Sequence, residues 1–284
     1  MTIESIIHDQ WYPLAVTEDL ANGATGHTHL LGQPISYRKD QQGQFSACST
    51  TTPTRHYPTL TRHHTHWVCL GEPSAPLFPI PEFDEPDRRI LGAGSMQVHA
   101  SGLRVIENFL DMAHFPYVHT GLLGAEPHTD ISPYQVKIEA DSDEIIATDC
   151  RIFQPLAAAA AKEGMEAHYV YRVTRPFCAL LYKTSPEQPH RRDVICLFVQ
   201  PLDEERCIAH VVLAYIDSTS SDRDLRLFQQ TIFGQDLMIL SNHRPRGLPL
   251  DPRYEIPTRA DALSSTYRRW LQGKGIRYGT YQAD

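Results

Sequence analysis

The stretch ENFLDMAHFPYVHTG, from Glu107 to Gly121, places an aspartate and two histidines, Asp111, His114 and His119, within nine positions of an apolar run broken by Pro116. Just upstream, Leu103, Ile106 and Leu110 lie three and four apart, which predicts a helix over Ser101–His114. On that helix Asn108, Asp111 and His114 share one face. His119 would lie far round the cylinder from His114, since each residue advances ~100°. Pro116 removes an amide donor and pushes Phe115 away from helical angles, so a kink between the histidines is expected to bring both imidazoles to one point. From this spacing alone, a hydrogen-bonded structural cluster and a metal site both remain open.

A third ligand would separate the two, and a second helix offers one. Ser221 and Asp224 form a capping-box pattern that opens a long helix through LRLFQQTIFGQDLMILSNH, with Pro245 as its stop. Its inward stripe reads Leu225, Phe228, Ile232, Asp236, Ile239, and Asp236 stands where a hydrophobe is due. A carboxylate on a buried face costs several kcal/mol unless a cation or donors compensate it. A salt bridge to Arg244 or Arg246 is the alternative partner. Two imidazoles and one carboxylate make the facial triad that leaves positions open for O₂ and substrate on Fe(II).

The rest of the chain bounds this reading. At 284 residues, with 41% hydrophobic and 21% charged residues, it is an ordinary globular sequence of one or two domains. The formal charge of −8 disfavours nucleic acid or an anionic membrane as partner. The six cysteines are scattered, several inside apolar strand-like runs, as expected of buried thiols in a reducing compartment. The N-terminus lacks a signal-peptide pattern and no window approaches a membrane span, so a cytoplasmic protein is expected.

Residues 1–80 read as a small β-rich module, with strands in HTHLLGQPISYRK, GQFSAC and HTHWVCLGE, ending in a proline-rich linker. Within it His56, His63, His64 and His66 raise a second metal site as an alternative, with His64 and His66 alternating on one strand. Residues 81–284 read as the larger part. Six strands, YQVKIEA, EIIATDCRIFQ, AHYVYRVTRP, CALLYKTS, DVICLFVQPL and CIAHVVLAYID, suit an antiparallel sheet with one covered face. PLAAAAAKEGM is a helix-favouring insert over one edge or mouth of that sheet. A last helix, RADALSSTYRRWLQGKG, carries Ala260, Leu263, Tyr267 and Trp270 on one stripe. The fold class is α+β.

NFLDMAHFPYVHTGLLG resembles the mononuclear-iron motif of the Rieske non-heme iron oxygenases, Asp-x-x-His-x-x-x-x-His followed by Gly and Leu. IFGQDLMILSNHRPRGLPLD is similar to that family's segment with the third ligand, and ADALSSTYRRWLQGKG, WYPLAVTEDL and HWVCLGEPS resemble its vanillate-demethylase-like branch. The resemblance implies His114, His119 and Asp236 as iron ligands, Asp111 as the acid that bridges electron transfer between subunits, and Asn108 as a residue beside the iron. It implies a helix-grip (Bet v1-like) catalytic domain, O₂ and a small aromatic or organic-acid substrate, and a homo-oligomer such as a trimer. Arg172, Arg175 and Tyr182 are candidates for meeting a substrate carboxylate.

One departure stands out. A Rieske [2Fe–2S] centre takes two Cys and two His, in the family as Cys-x-His and Cys-x-x-His. Here Cys48 is followed two places on by Thr50, and Cys69 by Leu, Gly and Glu. The N-terminal module therefore reads as a truncated Rieske-like remnant without its cluster. Electrons would come in trans, from a ferredoxin or a complete Rieske subunit. Two other readings stay open on the sequence: a catalytically silent ligand-binding or regulatory subunit, and a non-redox metal-dependent enzyme.

Overall fold

The computed structural model describes every residue except Met1, Thr2, Ala160, Lys162, Ala283 and Asp284. After a one-turn helix α1 (Ser5–His8), the N-terminal part forms β1 (Tyr12–Val16), β2 (Thr25–Leu30), β3 (Gln33–Lys39), β4 (Phe45–Ser49), β5 (His56–Tyr57), β6 (Thr59–Arg62) and β7 (Thr65–Val68). These make a four-stranded sheet, β2-β3-β4-β5, and a three-stranded one, β1-β7-β6.

The larger part is built on β8 (Arg89–Val98), β9 (Gln135–Ile138), β10 (Ile145–Gln154), β11 (Met165–Arg175), β12 (Cys178–Thr184), β13 (Arg192–Pro201) and β14 (Cys207–Tyr215). They form one antiparallel seven-stranded sheet in the order β8-β14-β13-β12-β11-β10-β9. Six of these strands match the sequence expectation. The seventh, β8, was not anticipated: Gly92 and Gly94 interrupt its alternation, and a glycine-poor, β-branched run is the usual strand signal. Short strands β15 (Leu248–Pro249) and β16 (Thr280–Tyr281) pair in parallel near the C-terminus.

Both faces of the big sheet are covered, not one. Helices α2 (Gly102–Leu110), α4 (Asp222–Leu240) and α5 (Ala262–Gly273) belong to one side, with the one-turn α3 (Phe115–Val118) between α2 and β9. On the other side Leu180, Cys196, Phe198 and Val212 form a separate core with Val16 of β1, Trp67 of β7, and Leu77, Phe78 and Ile80 from the segment after β7. The Trp67 ring meets Phe198 at 4.8 Å, edge to face. Burial on both faces explains why β13 reads as a continuous apolar run.

The end of the first helix also differs from expectation. Helix α2 stops at Leu110, and Asp111 is its C-cap in extended conformation (φ −87°, ψ 122°). Pro116 lies in the first turn of α3, where its missing N–H costs nothing, so it starts a helix instead of kinking one. Helix α4 begins with the expected capping box at Ser221 and Asp224 but ends at Leu240, before Pro245. There the Asn242 side chain donates to the Met238 carbonyl at 2.7 Å, which satisfies a free helix-end acceptor. The alanine-rich insert after β10 forms turns and no helix among its described residues. No helix is long and apolar enough to cross a membrane.

Candidate metal centre

The two histidines flank a single helical turn. His114 is the N-cap of α3 and His119 its C-cap, with the His119 amide donating to the Phe115 carbonyl. This turn, not a bend at Pro116, brings the rings to a centroid separation of 5.0 Å. The third group comes from α4, whose buried stripe is Leu225, Gln229, Ile232, Phe233, Asp236 and Leu240. Phe228 and Ile239, expected inside, lie at its edges, and Ile239 is 45% exposed.

The placement of α4 is fixed by the irregularity of β8. The β14–β8 register shifts between Val211 and Val212, opposite Gly94 and Gly92, and Gly94 has φ 127°. That frees backbone carbonyls on the helix side. Arg226 donates to the Gly92 carbonyl at 2.9 Å and Gln230 to the Ala93 carbonyl at 2.8 Å. The glycines that hide β8 from a sequence reading are thus what seats the helix bearing Asp236.

His114 Nε2, His119 Nε2 and Asp236 Oδ1 converge. The two Nε2 atoms lie 3.1 Å apart, and they stand 3.3 and 3.1 Å from Asp236 Oδ1. All three residues are shielded, His119 being only 1% exposed. Each ring is held from behind: His114 Nδ1 by Asp111 Oδ2 at 3.0 Å, and His119 Nδ1 by Gln235 Oε1 at 2.8 Å. Both of those partners are acceptors, so in neutral rings the protons sit on Nδ1 and both Nε2 atoms present lone pairs. Asp236 Oδ1 is buried and, despite the short distances, accepts no well-aligned hydrogen bond. Three electron-rich atoms facing one another call for a positive charge between them. A divalent cation fits that donor set and the second shell that orients it.

The protonation energetics carry the same message. Burial opposes charge on His114, but Asp111 and Asp236 outweigh it and raise its pKa to about 9. Burial likewise opposes charge on Asp236, but the two histidines hold its pKa down to about 2. Without a metal the cluster attracts a proton instead. Arg244 and Arg246 do not serve Asp236: Arg244 donates to the Ser241 and His243 carbonyls, and Arg246 faces Glu205 at 3.6 Å.

Two cavities meet at this point. One is lined by His114, His119 and Asp236 together with Phe109, Tyr169, Phe228 and Phe233. Its free space is about 60 Å³, enough for a few waters at ~10–15 Å³ each, so a larger molecule enters only if lining side chains swing outward. The other is an open groove of about 460 Å³ whose walls include Arg104, Glu107, Asp111, Glu255 and Arg268. Arg104 and Arg268 both pair with Glu107 and Glu255 there. Asn108 lines both cavities, and Asp111 reaches from the groove to the back of His114.

The remaining sequence candidates fall elsewhere. Arg172 pairs with Glu144 at 2.6 Å and with the Pro79 carbonyl at 2.9 Å, on the face turned to the linker. Tyr182 is also on that side, and Arg175 donates to the Thr174 carbonyl. The N-terminal histidines do not gather: His63 bonds the Phe78 carbonyl, His64 lies in a turn against Thr17, and His66 bonds Thr61. His64 precedes β7, so the alternation with His66 assumed from sequence does not exist. Gln235 was missed, and nothing in its local sequence marks it.

The pattern of the vanillate O-demethylase oxygenase C-terminal domain family matches residues 98–275. The chain belongs to this Rieske-type oxygenase family. It is 49% identical over 276 residues to the probable methylxanthine N7-demethylase NdmC of Pseudomonas sp. (strain TJI-51), covering 97% of each chain. Its fold is similar to NdmA of Pseudomonas putida CBB5 solved with caffeine (TM-score 0.75, 16% identity, 94% of this chain and 91% of that one). It is also similar to dicamba monooxygenase bound to dicamba (TM-score 0.69, 15% identity, 95% and 99%). The protein is an oxygenase-type oxidoreductase of small organic substrates.

Proposed function

We propose that this protein is a mononuclear iron oxygenase that removes an N-methyl group from a methylxanthine, with electrons supplied in trans. The observation that carries the reading is the convergence of His114 Nε2, His119 Nε2 and an orphaned Asp236 Oδ1 in a chain 49% identical to a probable methylxanthine N7-demethylase. His114, His119 and Asp236 would hold Fe(II), which when bound would supply O₂ activation. Residues 81–284 do the chemistry, and residues 1–80 are a β-module that keeps the strands of a Rieske domain without the cluster.

The chain's own residues have separable tasks. Asp111 and Gln235 fix the ring orientations by accepting from Nδ1. The aromatic lining of the cavity excludes bulk water and offers flat faces to a planar ring. Asp111, open to the groove on its far side, is the route by which a reduced ferredoxin or Rieske subunit reaches the site. The balance is N–CH₃ + O₂ + 2 e⁻ + 2 H⁺ to N–H, formaldehyde and water, through an N-hydroxymethyl product that collapses.

The spacing around the cysteines supports the need for an external donor: neither Cys48 nor Cys69 has a histidine two or three places on. Protein reconstituted with Fe(II) should hold about one iron per chain and lack iron–sulfur absorption. It should release formaldehyde from 7-methylxanthine only when a reduced ferredoxin or Rieske protein and O₂ are both present. Formaldehyde release without O₂, or an iron–sulfur spectrum from the isolated chain, would overturn the reading.

A further inference from the structure

The small cavity beside the cluster is largely apolar, yet Lys183 lines it while only 5% exposed. Its Nζ donates to the Ala157 carbonyl and stands 6.0 Å from the centre of the Tyr169 ring. Among the described residues no carboxylate forms an ion pair with it: Asp193, opposite it in the β12–β13 register and near enough for the two charges to act on each other, accepts from the Ile216 amide at 2.7 Å. An ammonium offers three protons, and a buried one without a counter-ion in hydrogen-bond contact is costly. Burial accordingly lowers its pKa to about 8.

Lys183 is not the only polar group left waiting. Tyr171 Oη, from the adjacent strand, and Gln229 Oε1, from α4, are buried without hydrogen-bond partners and line the same cavity. The Tyr169 ring beside Lys183 lies 6.3 Å from Phe115, whose ring is 5.7 Å from His119. Lys183 therefore stands across an aromatic wall from the metal cluster.

We propose that Lys183 binds the oxo-bearing, ionised edge of a planar substrate ring, holding it with its N-methyl group directed toward the cluster. The inference rests on the reading above for where oxidation occurs. The chemical class is a heterocycle whose ring N–H beside a carbonyl loses its proton to solvent, so that nitrogen and oxygen share the negative charge. Tyr171 and Gln229 complete the set by pairing with the neighbouring ring carbonyl and ring N–H.

The test is equilibrium binding to the iron-loaded protein without O₂ or reductant, so that turnover plays no part. Two probes are compared: 7-methylxanthine, with two acidic ring N–H groups, and caffeine, with none. Lys183→Met should weaken 7-methylxanthine at least tenfold and change caffeine less than twofold. Equal losses for the two, or no loss, would overturn the proposal, as would failure of the wild-type chain to bind 7-methylxanthine. If the variant does not fold, the ultraviolet spectrum of 7-methylxanthine bound to wild type at pH 6.5 decides: the anion's spectrum supports the anchor and the neutral one refutes it. Binding with this signature but no demethylation would refute the proposed reaction and leave Lys183 in place. Demethylation with unchanged KM in Lys183→Met would do the reverse.

Discussion

Two regions of this chain are rich in histidine, and they use it in opposite ways. Around His63, His64 and His66 each ring bonds a different partner through one nitrogen, and the buried Nε2 atoms left over on His64 and His66 join no convergent group among the described residues; His66 also stacks on Phe45 at 4.4 Å. Around His114 and His119 the Nδ1 atoms are occupied and the Nε2 atoms are turned on one another and on a buried carboxylate. Histidine count is therefore a poor guide to ligation. What distinguishes the second region is that the Nε2 atoms left over by the bonds at Nδ1 point to one place, shared with a buried carboxylate.

The sharpest way to break this comparison is to remove the acid. Asp236→Ala should abolish iron retention and lower turnover by at least about a thousandfold, the equivalent of several kcal/mol of lost metal catalysis. Metal analysis of the purified variant checks it. Asp111→Asn, which removes the charge behind His114 without changing shape, should weaken iron by about 10–100-fold. Its far-ultraviolet circular dichroism should match wild type. His66→Ala should leave iron content unchanged and cost about 1–3 kcal/mol of stability, through the lost hydrogen bond and ring packing, read from denaturant unfolding.

Titration sharpens the contrast, because the two regions respond to pH with opposite sign. His114 has a raised folded-state pKa, near 9, so its contribution in the metal-free protein is full below about 6.5 and is lost as pH rises through 9. His66 has a pKa lowered to about 4 by burial, with Lys39 adding to it, so its contribution is full above about 6.5 and is lost as pH falls through 4. Melting temperatures of metal-free protein should lose their alkaline slope in His114→Asn and part of their acidic slope in His66→Asn. The smallest effect is expected at the turn: His64→Ala should shift stability by under about 0.5 kcal/mol and leave iron untouched.

The convergence of His114, His119 and Asp236 was legible because such residue types are costly where they stand. Asp236 breaks an apolar stripe, and two histidines and an acid interrupt an apolar run, so the pattern marks them without knowledge of the packing. The manner of their meeting was not legible. Whether Pro116 kinks a helix or starts one depends on where the preceding helix ends, and that end is set by the extended backbone at Asp111. Lys183 escaped for a different reason. Along β11 and β12 alternate residues face opposite sides, and without the register nothing says whether Lys183 or its neighbours Tyr182 and Arg172 face the helices. Strand β8 was hidden by the glycines that its docking role requires.

Helix α3 is a single turn, far too short to persist by itself. If one ion clasps the residues at both of its ends, that turn is in effect stapled, and its rigidity becomes a gauge of metal occupancy. Amide deuterium uptake across Phe115–Leu123 should then be slow in loaded protein and quick after chelation, with the strands of the big sheet indifferent to the change.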